Sequence, residues 1–207
     1  MKTIVCYGDS NTHGSDPAGG RFGLHERWPG VLRDQLGPDY WVVEEGLGGR
    51  TTVWPDPIEG EHKNGKAHLP VCLESHKPID LLIILLGTND LKMRFSLPAE
   101  DVAKGVGVLV DLARRSQAGP NGQPPKVLMI APPPFAVLTG YIHMMEGGTE
   151  KSRQLGHFYR VMAEQMGCAF LDAGEVITSS PIDGIHWEKS EHARLGAAVA
   201  ALVRQIL

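Results

Sequence analysis

Apolar residues gather along this chain in five short, unbroken runs, Thr3–Tyr7, Trp41–Val43, Leu81–Leu86, Lys126–Ala131 and Cys168–Leu171. A strand wet on one face would alternate apolar and polar positions, so continuous runs predict strands covered on both faces. Between them the apolar spacing changes to the helical repeat. Trp28, Val31, Leu32 and Leu36 mark a short helix stopped by Gly37-Pro38, and Val102, Val106, Leu109, Val110 and Ala113 mark a longer one. Pro98 suits the first turn of that second helix, and Glu100 and Asp101 sit near its positive end. A third helix runs from Thr149 through Leu155, Phe158, Tyr159, Met162 and Met166 to a stop at Gly167, and Leu195, Val199, Leu202 and Ile206 mark the last.

Strands alternating with helices at this spacing predict crossover units and a parallel five-stranded sheet, hence an α/β fold built as a three-layer α/β/α sandwich. Ligands of such sheets bind beyond the carboxyl ends of the strands. Ser10 follows the first strand, Gly48-Gly49 the second, Gly87-Thr88-Asn89-Asp90 the third and Pro132-Pro133-Pro134 the fourth. Polar and glycine positions scattered along the sequence therefore gather at one edge. From Arg50 to Leu69 the chain is rich in Pro and Gly and lacks periodicity, which is long for a plain connection and reads as a pocket cover or an intersubunit contact.

With 207 residues the chain can build one substantial core, and residues 1–207 are expected to form one domain. The formal charge of -4 comes without a basic stripe, which argues against nucleic acid and for a small, largely neutral ligand. Cys6, Cys72 and Cys168 are odd in number and far apart, as expected of reduced core thiols in the cytoplasm rather than disulfides or a zinc site. No leader is expected before a strand that begins so early, and no apolar run is long enough to cross a bilayer.

Ser10, at the end of a buried strand, is placed to act as a nucleophile, but a serine hydroxyl needs a base. Among nine histidines, His186 stands out because Asp183 lies three positions before it, able to hold the Nδ1 proton and stabilise the imidazolium. The bland alternative is a turn at Asp183-Gly184 with an incidental His186; a metal reading of the pair finds no further ligand. Acyl transfer also needs donors for an oxyanion. The amide of Ser10, the amide of Gly49 and the side-chain amide of Asn89 are the candidates.

Four blocks, Gly8-Asp9-Ser10-Asn11, Gly46-Leu47-Gly48-Gly49-Arg50-Thr51-Thr52, Gly87-Thr88-Asn89-Asp90 and Asp183-Gly184-Ile185-His186, resemble in order those of the SGNH or GDSL hydrolases. The resemblance implies a flavodoxin-like fold, Ser10 as nucleophile, His186 as base, Asp183 as its orienter, and Ser10, Gly49 and Asn89 as the oxyanion hole. Glu44-Glu45-Gly46-Leu47, Pro132-Pro133-Pro134 and Glu146-Gly147-Gly148 are similar to the arylesterase branch, including a mycobacterial esterase and acyltransferase. That branch implies cleavage of short acyl esters without a cofactor, acyl transfer to alcohols or hydrogen peroxide in some members, and a homo-oligomer. Asn11 replaces a common Leu and His13 a Trp of the mycobacterial relative, so a more polar wall is expected, with room for a sugar acetate.

Asn11, Trp54, Phe95, Phe135 and Ile185 are expected to contact substrate, with Val137, Leu138 and Tyr141 as further apolar candidates. Met144-Met145 reads equally as contact surface or core. The expectation is a serine esterase for short-chain acyl esters. Its rivals are a carbohydrate acetylesterase and a non-enzymatic α/β ligand-binding module; no Gly-x-Gly-x-x-Gly or Walker pattern supports a nucleotide site.

Overall fold

The computed structural model describes residues 1–207. Five strands, β1 (Lys2–Gly8), β2 (Tyr40–Gly46), β3 (Leu81–Leu85), β4 (Lys126–Ala131) and β5 (Ala169–Asp172), form one parallel sheet in the order β2-β1-β3-β4-β5. Six helices accompany them: α1 (Ser10–His13), α2 (Trp28–Leu36), α3 (Gly65–His76), α4 (Ala99–Arg115), α5 (Gly148–Met166) and α6 (Lys189–Ile206).

The continuous apolar runs are continuous because each strand feeds two cores. Val5, Tyr7, Leu82, Ile84 and Met129 point to one face, where they meet Leu69 and Cys72 of α3, Val102 and Val106 of α4, and Leu155 and Tyr159 of α5. Ile4, Cys6, Leu81, Ile83 and Leu128 point to the other, against Trp28 and Leu32 of α2 and Leu195 and Val199 of α6. From β1 the chain moves to β2 at one edge through α2, then returns past β1 to β3 through α3. Right-handed crossovers in opposite directions place their helices on opposite faces, which is why α2 and α3 are separated by the sheet. The reversal leaves a crevice beyond the ends of β1 and β3, the switch point of an open α/β sheet.

The predicted strands and four of the helices are present, with ends shifted by one to three residues at most strands. Helix α3 departs from the expectation of an aperiodic stretch to Leu69. Its buried positions Gly65, Leu69, Cys72 and Leu73 do follow a helical face, but Pro70 interrupts the pattern and Lys66, Ala67 and Pro70 are exposed. Asn64 supplies the start signal, its side-chain oxygen accepting the Lys66 N–H. No helix is long and apolar enough to cross a membrane.

Candidate active site

Strand β1 ends against its neighbours so closely that a Cβ at Gly8 would lie 2.0 Å from Thr12 Oγ1 and 2.8 Å from Leu85 O. Only glycine allows the turn that follows. Asp9 then caps α1, its Oδ1 accepting the Asn11 N–H at 3.0 Å, and Ser10 becomes the first helical residue. A first-turn amide has no partner within its own helix, so the Ser10 N–H is left for something outside it.

The loop before α6 delivers the other half of the arrangement. Asp183 Oδ1 accepts the amides of Ile185 and His186 at 2.8 and 2.9 Å, curling the loop around the carboxylate. Its Oδ2 lies 2.5 Å from His186 Nδ1, and His186 Nε2 lies 3.0 Å from Ser10 Oγ. Burial alone would push the Asp183 carboxyl up. The hydrogen bonds from the His186 side chain and the two amides outweigh it and hold the group below the ordinary carboxylate range. With a proton on Nδ1 facing that anion, Nε2 is the acceptor for the serine hydroxyl. Tyr141 stands edge-on to the imidazole, 6.1 Å between ring centres.

Gly49 and Asn89 border the same cavity as Ser10. Gly49 has φ of +77°, its N–H meets no acceptor of the chain, and a Cβ there would sit 2.4 Å from Glu59 Oε2. Arg50 fixes this loop to the sheet: its guanidinium donates to Gly8 O at 2.9 Å and to Glu45 O, and lies 4.2 Å over the Tyr7 ring. Asn89 opens a short 3₁₀ turn after β3, with Nδ2 3.4 Å from Asp9 Oδ2. Beneath it the buried Asp90 carboxylate accepts both the amide and the hydroxyl of Thr52, locking the β2 loop to the β3 loop. Burial pushes Asp9 up to about 6, against the pull of the Asn11 amide and His186. It pushes Asp90 up to about 7, hydrogen bonds from Thr52 opposing it and the charge of Asp9 adding to it.

A cavity of about 340 Å³ opens over Ser10 and His186, within the size range of small-ligand sites. Gly49, Asn89 and Ile185 line it with Tyr141, Met144 and Met145, and so do three polar residues that sequence reasoning missed, Ser15, Glu59 and Lys92. Lys92 is buried, paired with Asp56 Oδ2 at 3.2 Å and Glu59 Oε1 at 2.6 Å, while Arg94 holds Asp56 Oδ1 at 2.8 Å. Burial of Asp56 opposes its ionisation, yet the amides of Glu59 and Ile58 together with Arg94 and Lys92 bring its carboxyl far below the ordinary range. This network pins the long β2–α3 loop over the cavity.

Four of the residues expected to contact substrate, Asn11, Trp54, Phe95 and Phe135, do not line this cavity. Asn11, one step round α1 from Ser10, turns into the protein and is buried. Trp54 sits in an outer bend tied by Thr51 Oγ1 donating to its carbonyl, with its side chain exposed. Phe95 follows Lys92 into a half-buried turn that leaves the cavity. Phe135 is packed in the core against Gly148. His13 lies against Gly46 at the end of β2 and does not line the cavity either, so its polar wall has a different source from the one expected.

Apart from this site, Glu45, Cys72 and His76 offer ligand atoms within 4.8 Å of one another. His76 Nε2 and Glu45 Oε1 already satisfy each other at 2.8 Å, and burial, with Glu45 beside it, pushes the Cys72 thiol up to about 12. The group is thus a hydrogen-bonded histidine–carboxylate pair next to a protonated thiol.

Residues 6–194 match the model of the GDSL-like lipase/acylhydrolase family. Among solved structures, a carbohydrate acetylesterase from Sinorhizobium meliloti, Est24, superposes with a TM-score of 0.96 at 38% identity, covering 100% of both chains. The aryl esterase of M. smegmatis gives 0.94 at 42% identity, again over 100% of both chains. A member of the lipolytic G-D-S-L family from Veillonella parvula, 16% identical with a TM-score of 0.69 and full coverage of both chains, shares the fold. No curated protein sequence matches the chain at a significant level.

Proposed function

The chain belongs to the GDSL-like lipase/acylhydrolase family, and from that premise we propose that this serine esterase cleaves short acyl esters with Ser10 as nucleophile, His186 as general base and Asp183 as its orienter. The observation that carries the assignment is the unbroken hydrogen-bonded line from Asp183 Oδ2 through the imidazole to Ser10 Oγ.

In the first half-reaction Ser10 Oγ attacks the ester carbonyl carbon while its proton passes to His186 Nε2. The oxyanion that forms is met by the amides of Ser10 and Gly49 and by Asn89 Nδ2, each such donor contributing roughly 3–4 kcal/mol to the transition state. Collapse of the intermediate breaks the bond to the alcohol oxygen, which leaves with the proton from His186. Water, or an alcohol or hydrogen peroxide, then attacks acyl-Ser10 with His186 again as base, releasing the acyl product and restoring the hydroxyl. Side chains and backbone amides supply every step of this scheme.

A second reading, hydrolysis of carbohydrate acetates, is favoured by the polar wall of Ser15, Glu59 and Lys92 and by the likeness to Est24. Comparing kcat/KM on acetylated xylose with that on phenyl acetate separates the two. Labelling by a fluorophosphonate, followed by peptide mapping, tests the whole assignment: modification confined to Ser10 supports it, and an unlabelled active protein would end it. We further propose a cytoplasmic homo-oligomer acting on small neutral esters. The reduced cysteines and the exposed Ile58, Met93 and Ile142, each next to a cavity residue, support those two points, and light scattering tests the second.

A further inference from the structure

Glu59 divides its two oxygens between the protein and the cavity. Oε1 is held by Lys92 at 2.6 Å, with Arg94 3.7 Å away. Oε2 receives no hydrogen bond from the chain and lies over Gly49, 2.4 Å from where a Cβ would stand. The side chain cannot swing away without releasing Lys92, which is itself 1% exposed and whose other partner, Asp56, is completely buried, so Oε2 stays at the cavity, where solvent reaches it. An acceptor held still in the wall with no donor from the chain can exchange its water for a donor on the ligand. Asp56, Glu59, Lys92 and Arg94 formally cancel, so the anionic member facing the cavity is balanced from behind while remaining anionic toward whatever enters.

We propose that Glu59 is a specificity-determining residue of the esterase, its Oε2 accepting a hydrogen bond from a hydroxyl carried by the ester and turning away esters that carry a carboxylate. This rests on the serine-esterase reading. The carboxylate stands beside Gly49, one of the proposed oxyanion donors, so a substrate hydroxyl near the scissile ester is within its reach, whereas a substrate carboxylate there meets a like charge. The same negative charge is felt across the cavity at Tyr141, whose phenol is pushed up by burial first, then by Asp183 and by Glu59.

The test compares kcat/KM for three acetates of similar size, 1-acetylglycerol, butyl acetate and O-acetylglycolate, by acid release. It uses the wild type, Glu59→Gln, Glu59→Ala and Glu59→Asp, with melting curves to establish folding. Wild type is expected to favour acetylglycerol and to disfavour acetylglycolate. Glu59→Gln leaves the quartet formally one positive charge in excess, and should raise acetylglycolate relative to butyl acetate by about tenfold and lower acetylglycerol severalfold. Glu59→Ala should do the same by removing both oxygens, and Glu59→Asp, which keeps the charge, should keep the wild-type order. Parallel changes on all three esters would mean that Glu59 only holds the loop, and would overturn the proposal; so would a wild type indifferent to the three. Turnover that survives Ser10→Ala would instead remove the esterase reading beneath it.

Discussion

Asp183 and His186 are joined twice, the carboxylate taking the ring Nδ1 at one oxygen, 2.5 Å away, and the backbone N–H of the same histidine at the other, 2.9 Å away. The residue that orients the imidazole thus also sets the loop that carries it. Replacing Asp183 by Asn keeps the shape but presents an amide N–H to one of these donors. A fall in kcat of roughly 100- to 10,000-fold is expected for Asp183→Asn, with KM changed much less. Steady-state kinetics on p-nitrophenyl acetate would show it, and near-normal kcat would count against the assigned role.

Ser10 Oγ and His186 Nε2 lie 3.0 Å apart, and as the proposed nucleophile and base they would act as a single proton-transfer unit. Ser10→Ala and His186→Ala should each lose roughly 1,000-fold or more in kcat/KM, and the double variant little beyond either. Losses that multiply would mean that the two residues act separately.

Gly49 is required twice, by φ of +77° and by the proximity of Glu59 Oε2. A methyl group there must shift the loop and with it the N–H. Gly49→Ala should cost about 100- to 1,000-fold in kcat, the loss of one oxyanion donor, and Asn89→Ala a similar amount. Binding of a non-hydrolysable ester analogue to Asn89→Ala should stay near the wild-type affinity.

The carboxyl of Asp90, about 7 when folded, has an ordinary value near 3.8. A raised folded value means that the fold binds this proton more tightly than the unfolded chain does. The resulting stability is complete below about 3.8 and is lost as the pH rises through about 7. Asp90→Asn lacks this titration, so the stability of wild type relative to it should be greater at pH 5 than at pH 8. Urea unfolding at the two values measures the difference, and one that grows with pH would contradict the buried acid.

Lys92→Met leaves Asp56 buried with Arg94 as its one cationic partner. Removing one partner of such a group should destabilise by about 3 kcal/mol, lowering Tm by about 6–12 °C. A melting curve unchanged by the substitution would show that the loop is held by other contacts.

Much of this was legible in sequence because each block pairs a strand end with a residue whose chemistry is specific. Gly8-Asp9-Ser10 and Asp183-Gly184-Ile185-His186 needed only the parallel sheet to be brought to one edge. Helix α3 was hidden by Pro70 and by small or polar residues on its outer face, since its burial comes from the sheet and not from a clean apolar stripe. The cavity walls were hidden for a different reason. Glu59 and Lys92 look like surface charges until the chain is folded, because their partners are 33 positions apart. Aromatic residues such as Phe135 and Trp54 attracted attention by type, yet one is claimed by the core and the other by solvent.

The hydroxyl of Ser10 and the imidazole of His186 that meets it are separated by 176 positions of chain. A polypeptide that stops short of residue 186 therefore carries the hydroxyl without the ring. On the proposed assignment, hydrolytic competence requires both segments packed on the finished sheet, so the onset of activity can serve as a clock for completion of the native fold.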